Sequence, residues 1–432
     1  MRHSNWRHIF KPKDLGIILL LAILMAVLEY TGILAGPEGW LEDRWLRLAG
    51  SHLPSVSGSV VILDIDDATH RDCFDPTPPM NASTVSGLVK QIVQLEPSVV
   101  GIDILTDDPK YAGAYRNLAN ELKGFQTKTV WIAGVDRKFH ATVPNLFGWF
   151  AGEPTELVIK PTRVLGFDPG ELEDRQDVQW GPAVYATEED HKLRRFPREL
   201  GISADPESSG LSVNRETWAR KIGDRFCERN PCPSVPNRSE VFLPVGTRTV
   251  SYSVLDFFSC SKRALPREFG ISEGKRDVLK QLTAGKIVLL GGTFASSGDF
   301  YETPGGRDSG IVVNARAVEA EISGSGLGEV KPYVSFGLDL VTGAMMLMAF
   351  FVLEELLKQN RVLVTVSGSL FAVALLWSAV YLFLGKNYMF SFASLIFGVL
   401  IHQLIDLWNG DLWKSEKEPK HKPARRRAAH RG

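Results

Sequence analysis

SVVILDIDDAT, residues Ser59 to Thr69, is a run of β-branched and aliphatic residues that ends in three carboxylates. A continuous apolar run of this length is typical of a strand buried on both faces, as in a parallel sheet covered by helices. Asp64, Asp66 and Asp67 then lie at the carboxyl end of that strand. Because ligands of open α/β sheets bind at this edge, the three acids are the first candidates for a binding site. A helix cap is the alternative role for one of them.

Further stretches predict strands of the same buried type: SVVGIDIL (98–105), TKTVWIAGV (127–135) and GKIVLLGGT (285–293). Helices are predicted from a start at 81–84 to Pro97, around 114–122 and over 310–323. Strands that alternate with helices through short connections form right-handed parallel crossovers. The sequence therefore predicts an α/β domain with a mainly parallel central sheet.

The region from about residue 137 to 282 has a less regular pattern. It contains two strand candidates, 156–160 and 240–245, and one amphipathic helix near 213–226, among many Pro, Gly and charged residues. We interpret this region as an elaboration on the sheet and not as a separate domain.

The apolar residues are segregated along the chain. Hydrophobic residues make up 44% of the 432 residues and the net charge is -1, which is ordinary for a globular protein. Four long apolar stretches stand out, at 15–34, 334–357, 362–384 and 389–408. Each reaches the roughly 20 residues that cross a bilayer core. The pattern predicts a four-pass membrane protein with one large domain, residues 36–333, between the first and second spans.

Basic residues predict the orientation of these spans. Residues 1–14 form a basic leader, Lys358 and Arg361 lie between the second and third spans, and residues 409–432 carry eight Lys and Arg against three acids. All three fall on one side when the spans are threaded in order, so the positive-inside rule assigns both termini to the cytoplasm and the large domain to the exterior. A cleaved signal peptide is the alternative for 15–34, but twenty apolar residues is long for one. We expect an uncleaved anchor.

All four cysteines, Cys73, Cys227, Cys232 and Cys260, lie in the predicted exterior domain. An even count of cysteines is consistent with disulfide pairing in an oxidising compartment. Cys227 and Cys232 flank only four residues, which favours a local bridge, and a Cys-x4-Cys spacing with no histidine nearby is a poor zinc pattern. The sequence leaves open whether Cys73 pairs with Cys260.

Several stretches carry a resemblance to a known family: DIDD at 64–67, PSVVGIDIL at 97–105, HKLRRFP at 191–197 and AGKIVLLGGTFASSGDFYETPGGRDSGIVVNARAV at 284–318. In these stretches the chain resembles the type 2 CHASE domain, an extracytoplasmic sensory domain of bacterial adenylate cyclases, histidine kinases and serine/threonine kinases. The resemblance covers roughly residues 15–408 and includes the layout of one span before the domain and three after it. It implies a bacterial inner-membrane protein with a periplasmic sensory domain.

The chain departs from the family pattern at two places. Asn81 stands where the family commonly has an arginine, so any contact made by that arginine is in doubt here. Receptor members continue into a cytoplasmic catalytic domain, whereas residues 409–432 are too few for a folded domain. We therefore expect a stand-alone form that relays its signal to a separate cytoplasmic effector protein. The basic, proline-containing tail is expected to be disordered and to bind anionic membrane lipid.

The predicted ligand-binding residues all follow strands of the central sheet: Asp64, Asp66, Asp67, Asp103, Thr293 and Asp299. The signal would be a small molecule or a periplasmic protein, and no cofactor is expected. The carboxylates leave open a divalent cation, with Asp64, Asp66 and Asp103 as candidate metal ligands. A nucleic acid is not expected as a ligand, because the domain is close to neutral.

We expect a sensor and not an enzyme. Binding at the carboxyl edge is predicted to shift the helix over 310–323, which runs almost directly into the second span. The sequence leaves open whether the chain forms a homodimer.

Two other functions stay open. Asp64 and Asp66 resemble the nucleophile and general acid of haloacid-dehalogenase phosphatases, although Ala68 stands where that motif has Thr or Val. This alternative is a metal-dependent periplasmic phosphatase or hydrolase. The other is a structural or assembly subunit of a membrane complex, because Glu29 and Asp339 lie inside predicted spans, where acids serve function or packing.

Overall fold

The computed structural model describes residues 35–52, 58–74, 80–140, 157–173, 175, 177–185, 187–188, 190–202, 213–233, 240–242, 249–261, 268–272, 274–329 and 388–389, with single positions at 334, 341, 367, 370, 374 and 378. Apart from a few positions, the four predicted spans and both predicted cytoplasmic ends lie outside these residues. None of the helices in the described ranges combines the length and the apolar character needed to cross a bilayer. Internal contacts divide the chain into two compact units, residues 35–335 with 379–390, and residues 1–34, 336–378 and 391–432.

In chain order the described α-helices are α1 (Ala35–His52), α2 (Asp67–Cys73), α3 (Ala82–Val93), α4 (Ala112–Leu122), α5 (Pro169–Glu173), α6 (Trp218–Cys227), α7 (Val254–Phe257), α8 (Arg276–Thr283) and α9 (Gly310–Ser323). Short 3₁₀ turns cover Pro109–Tyr111 and Ala295–Ser297.

The described strands are β1 (Val60–Ile65), β2 (Val99–Asp103), β3 (Lys128–Ala133), β4 (Val135–His140), β5 (Leu157–Pro161), β6 (Gln179–Pro182), β7 (Arg195–Pro197), β8 (Glu199–Ile202), β9 (Val213–Glu216), β10 (Glu240–Phe242), β11 (Val250–Ser253), β12 (Phe258–Cys260), β13 (Phe269–Ile271), β14 (Ile287–Gly292), β15 (Phe300–Thr303), β16 (Gly306–Ser309), β17 (Gly328–Glu329) and β18 (Tyr388–Met389).

The central sheet has the strand order β11-β1-β14-β2-β3-β6, and every neighbouring pair is parallel. The predicted α/β class with a mainly parallel sheet is therefore confirmed. β1 and β14, the two stretches whose apolar runs are most continuous, pair with each other over their whole length. Burial on both faces is the reason that their sequences show no polar alternation.

Helices cover both faces of this sheet. Leu63 and Ile102 pack on the side of α3 and α4. Ile62 and Leu289 point to the opposite face and pack with residues of α6 and α9. At Gly181, a side-chain carbon would lie 2.6 Å from the backbone nitrogen of Trp218, so the glycine allows α6 to lie directly on the sheet.

Asn81 is the N-cap of α3, which starts at Ala82. Its side-chain oxygen accepts hydrogen bonds from the backbone amides of Ser83 at 3.0 Å and Thr84 at 3.3 Å. An asparagine at this position satisfies amides that have no partner within the helix. The predicted helix start at 81–84 is thus confirmed, and Asn81 has a structural role here.

The irregular middle region forms further sheets. β4, β5, β8 and β9 make a second sheet of mixed direction, while β6 and β11 join opposite edges of the central sheet. The helix predicted near 213–226 is wrong at its beginning, because Val213–Glu216 is β9 and pairs antiparallel with β8. The helix itself begins after Thr217, whose extended backbone ends the strand.

Both cysteine pairs are bridged. Cys227 and Cys232 close the local loop after α6, as predicted. Cys73 and Cys260, 187 residues apart in sequence, join the end of α2 to β12. The second pairing is the one that the sequence left open.

Candidate functional site

The strand register brings the predicted carboxylates to one edge of the central sheet. Asp64 on β1 and Asp103 on β2 both pair with Gly291, which lies on β14 between them. Laterally paired residues of parallel strands point to the same face, which here is the face covered by α9. A side-chain carbon at Gly291 would lie 2.9 Å from Ile311 Cδ1 and 3.0 Å from Asp103 Cβ. The glycine therefore lets the first turn of α9 approach the edge between the two acids.

Asp64 is held by the residue that follows β14. Thr293 donates from its hydroxyl to Asp64 Oδ1 at 2.6 Å, and its backbone amide donates to the carbonyl of Ile65 at 3.1 Å. Burial raises the pKa of Asp64, the Thr293 hydroxyl acts to lower it, and the neighbouring Asp66 and Asp67 act to raise it. Two of the predicted site residues, Asp64 and Thr293, thus form one unit.

Asp66 and Asp67 hold local structure. Asp66 is the N-cap of α2 and accepts from the backbone amide of Thr69 at 2.7 Å. Burial acts to raise the pKa of Asp66, but the hydrogen bonds from Thr69 and Ser253 outweigh it and lower the pKa. Asp67 accepts from the backbone amide of Ala295 at 2.9 Å. The helix-cap role considered from the sequence therefore falls to Asp66.

A second group of side chains surrounds Asp103; the residues of this edge cluster are Asp103, Tyr185, Asp299, Tyr301 and Asn314. Asn314, a buried residue of α9, donates from Nδ2 to Asp103 Oδ2 at 2.9 Å. The hydroxyl of Tyr185 donates to the side-chain oxygen of Asn314, and Tyr301 hydrogen-bonds Asp299. The rings of Tyr185 and Tyr301 meet edge to face, with centroids 5.6 Å apart.

The edge cluster favours protonated carboxyls. Burial and the nearby Asp299 raise the pKa of Asp103 to about 7, against the opposing effect of the Asn314 hydrogen bond. Burial also raises the pKa of Asp299, and the hydrogen bond from Tyr301 acts to lower it. Burial raises the pKa of both tyrosines, so they stay hydrogen-bond donors near neutral pH. The cluster can hold a proton or present hydrogen-bonding groups to a polar ligand.

Asp299 also links the glycine-rich loop to α9. The backbone amide of Gly310 donates to the carbonyl of Asp299 at 2.9 Å. A side-chain carbon at Gly310 would lie only 1.8 Å from Asp299 Oδ2, so this position has no room for any other residue while Asp299 keeps its place. A change at Asp299 therefore acts directly on the beginning of α9.

The candidate metal ligands occupy different settings. Asp64 and Asp103 lie on either side of Gly291, whereas Asp66 caps α2. Within the described ranges, no three His, Cys, Asp or Glu residues are arranged to hold a metal ion.

Residues 190–198, called the coupling segment here, lie beside α1. Arg194 has no exposed side-chain surface and donates from Nε to Asp43 on α1 at 2.9 Å and from Nη1 to Glu188 at 2.6 Å. It also donates to the carbonyl of Gly39 at 3.2 Å, and a side-chain carbon at Gly39 would lie 2.9 Å from Arg194 Nη2. α1 therefore docks on the coupling segment through a buried guanidinium.

The coupling segment also contacts β15 and α9. The backbone amide of Leu193 donates to the carbonyl of Glu302 at 2.7 Å. Arg198 forms a buried bidentate ion pair with Glu321 in the last turn of α9, with distances of 2.7 and 2.9 Å. One short stretch thus contacts β15, which carries Tyr301 of the edge cluster, the last turn of α9 and the middle of α1.

A small apolar cluster lies next to these contacts. Leu46 of α1, Phe242 of β10 and Leu327 are buried together, and the Arg195 guanidinium lies 4.6 Å from the centroid of the Phe242 ring. Gly328, the residue after Leu327, pairs parallel with Tyr388. The entry into the domain, the exit from it and the short β18 strand therefore meet in one place.

The residues that sequence reasoning missed are partners distant in the chain. Tyr185 and Asn314 complete the edge cluster, and Glu321 pairs with Arg198. Tyr185 and Glu321 stand in no recognisable motif, whereas Asn314 lies in the stretch 284–318 that carried the resemblance. The available signals were two stretches that carried the resemblance: HKLRRFP, which contains Arg194, and 284–318, which contains Tyr301 and Asn314.

The comparisons with known proteins agree with the resemblance. The family model of the CHASE2 domain matches residues 18–353, which is most of the chain. The comparisons with curated proteins and with solved structures found no match to this chain.

Proposed function

Because this chain belongs to the CHASE2 domain family, we propose that it is a membrane-anchored sensor, which relays an extracytoplasmic signal through its transmembrane helices to a separate cytoplasmic partner. CHASE2 domains are extracytoplasmic sensory domains, and the two disulfides suit an oxidising compartment. The signal, a small molecule or a periplasmic protein, would bind at the carboxyl edge of the sheet, beside Asp64 and the edge cluster.

The observation that carries this proposal is the set of contacts made by the coupling segment. The backbone amide of Leu193 hydrogen-bonds the carbonyl of Glu302, and Glu302 follows Tyr301 of the edge cluster in β15. Arg194 holds α1, which follows the first predicted span, and Arg198 holds α9, which precedes the second. A displacement of β15 by a bound signal would therefore reach both ends of the domain through one continuous segment. Tightly packed contacts of this kind shift between discrete arrangements.

The pairing of β17 with β18 supports the proposed topology. Tyr388 belongs to the predicted turn between the third and fourth spans, and the positive-inside rule puts that turn outside. Its parallel pairing with Gly328 fits a turn on the same side of the membrane as the domain. The domain would then act on the trailing spans at two points.

Photo-crosslinking in living bacteria tests the relay. A photoreactive amino acid at Trp413, in the predicted cytoplasmic tail, is expected to capture a cytoplasmic protein with the full-length chain. Arg194→Lys keeps the charge but loses the planar fork that serves several acceptors, so the yield of captured protein is expected to change. Arg163→Gln, which removes an exposed ion pair with Asp168, is the matched control and is expected to behave as wild type.

Two results would contradict the proposal. One is a reporter fusion that locates Trp180 on the cytoplasmic side, because the domain would then face the wrong compartment. The other is a tail that captures the same set of proteins in wild type, Arg194→Lys and Arg163→Gln at equal yield, because the coupling segment would then have no influence on output.

A metal-dependent hydrolase is the second candidate, and the Asp64–Thr293 hydrogen bond is the observation that favours it. The Thr293 hydroxyl holds the Asp64 carboxylate at the edge of the sheet, where it could attack the phosphorus of a phosphate ester as the nucleophile. Turnover of phosphate monoesters by the purified protein with magnesium, lost in Asp64→Asn, would support the hydrolase. Equal turnover in wild type and Asp64→Asn would rule out Asp64 as its nucleophile.

A further inference from the structure

α1 carries an exposed row of residues, called the outer stripe here, which consists of Gly36, Trp40, Arg44 and Arg47. Their spacing of four, four and three residues puts them on one side of the helix. Trp40 is 58% exposed, and the Arg44 guanidinium lies 5.2 Å from the centroid of its ring. The stripe thus presents an indole and the Arg44 guanidinium to its surroundings, whereas the Arg47 guanidinium, at its end, donates from Nε to the carbonyl of Pro304 at 2.8 Å.

The rest of α1 explains why these groups face outward. Glu42 and Asp43, the acids of the middle turns, are buried against the coupling segment, where Arg194 and Lys192 bind them. Leu46 is buried with Phe242 and Leu327. A side-chain carbon at Gly39 would lie 2.9 Å from Arg194 Nη2, so only glycine leaves room for the guanidinium. This close contact fixes which side of α1 faces the coupling segment. The helix therefore keeps Glu42 and Asp43 inside and has Arg44 and Arg47 on its exposed side.

The position of the stripe in the chain identifies its partner. Ala35, the first residue of α1, follows directly on the apolar stretch 15–34, so Trp40 and Arg44 lie within about three helical turns of the predicted span. Tryptophan is enriched where the acyl region of a bilayer meets the headgroups, and arginine binds phosphate groups. We propose that the outer stripe binds the outer surface of the membrane, through the phosphate groups of anionic phospholipid headgroups.

This inference rests on the membrane anchoring in the proposed function, but it adds a binding surface that signal relay does not require. Lipid binding by the stripe would keep α1 in the plane of the headgroups while the coupling segment moves against its inner side. The fraction of anionic lipid in the membrane would then affect the position of α1 relative to the coupling segment.

Spin labels test the proposal on the full-length protein in nanodiscs. The label is attached at Gly36→Cys, because a side-chain carbon there has no neighbour within 4 Å. Gly113→Cys is the matched control: Gly113 is likewise the exposed second residue of a helix with open space around it. The accessibility of each label to dioxygen and to a water-soluble nickel chelate gives its depth, in phosphatidylcholine alone and with added phosphatidylglycerol.

The label at 36 is expected to be protected from the chelate, and more strongly with phosphatidylglycerol, whereas the label at 113 is exposed in both lipids. Trp40→Ala should reduce the protection in both lipids. Arg44→Gln should reduce only the part that depends on phosphatidylglycerol, by about fivefold, since one arginine near an anionic surface contributes about that factor. Arg44→Lys should retain it.

Equal chelate accessibility at 36 and 113 would overturn the proposal. So would protection at 36 that Arg44→Gln and Trp40→Ala leave unchanged, because proximity to the span alone would then account for it. Neither result affects the relay, which the crosslinking at Trp413 tests separately. A chain that fails to insert into nanodiscs would contradict the proposed anchoring and this inference together.

Discussion

Arg198 and Glu321 are both buried and form a bidentate ion pair, with Arg198 Nε 2.7 Å from Glu321 Oε1 and Arg198 Nη2 2.9 Å from Glu321 Oε2. Arg198 lies just before β8 and Glu321 in the last turn of α9, so the pair ties the end of the helix that leads out of the domain to the second sheet. We expect this buried pair to specify one arrangement of its two elements more than it adds stability.

Removing one partner of this pair should be costly. Glu321→Gln takes the bidentate carboxylate away from the buried Arg198 guanidinium and is expected to lower the free energy of unfolding by about 3–5 kcal/mol. The double variant Arg198→Met with Glu321→Leu should recover much of that loss, because no uncompensated charge stays buried. Thermal unfolding in detergent measures both; a double variant as unstable as Glu321→Gln would contradict the assignment.

Asp103 should make stability depend on pH. Burial and Asp299 raise its pKa to about 7, whereas the ordinary value is 3.8. Between these values the folded state binds the extra proton, so the free energy of unfolding falls as the pH rises towards 7. The Asp103→Asn variant has no carboxyl to titrate here, so its free energy of unfolding should not show this decline. Its free energy of unfolding relative to that of wild type should therefore be roughly 2–3 kcal/mol higher at pH 8 than at pH 5. Parallel pH profiles for the two proteins would mean that Asp103 does not titrate in this range.

Gly310→Ala should disturb the edge of the sheet. The new methyl group would lie 1.8 Å from Asp299 Oδ2, so either the loop or the first turn of α9 must move, at a cost of about 1–3 kcal/mol. Gly113→Ala, in the first turn of α4, meets open space and should be neutral or stabilising by up to about 1 kcal/mol. Denaturant midpoints compare the two, and equal midpoints would argue against the close approach of Asp299.

The two disulfides should differ in their contributions. Cys73–Cys260 closes a loop with a sequence separation of 187, and Cys227–Cys232 one of 5. In the chain-entropy account, removing the long-range bridge should destabilise the domain by about 5 kcal/mol and removing the local one by about 2 kcal/mol. Paired Cys→Ser variants test the order. If protein isolated from its native membrane lacked both disulfides, the domain would not face an oxidising compartment.

The sequence predicted the parallel core well for a physical reason. β1, β2 and β14 are buried on both faces, so their apolar runs are continuous and end at the residues that mark the edge, Asp64, Asp103 and Gly292. α9 was predicted with its observed bounds, Gly310 to Ser323, because its first glycine and its apolar positions are local signals.

The clusters that make the edge chemically distinctive were not predictable in the same way. Asp103 and Asn314 are 211 positions apart in sequence, and Tyr185 joins them from the irregular region. Pairing across such separations depends on the strand order, which local patterns do not encode. Asp66 shows the reverse case, because its cap role follows from the residues next to it, Asp67 to Thr69.

The docking of Gly39 and Asp43 on Arg194 has a practical consequence for producing the folded domain by itself. A truncation that begins after His52 would leave Arg194 in the protein interior without its partner carboxylate from α1, and Phe242 would lose the cover of Leu46. Such a fragment would be prone to aggregate for reasons unrelated to its signal. A soluble version suited to crystallisation or ligand screening should therefore start at Ala35.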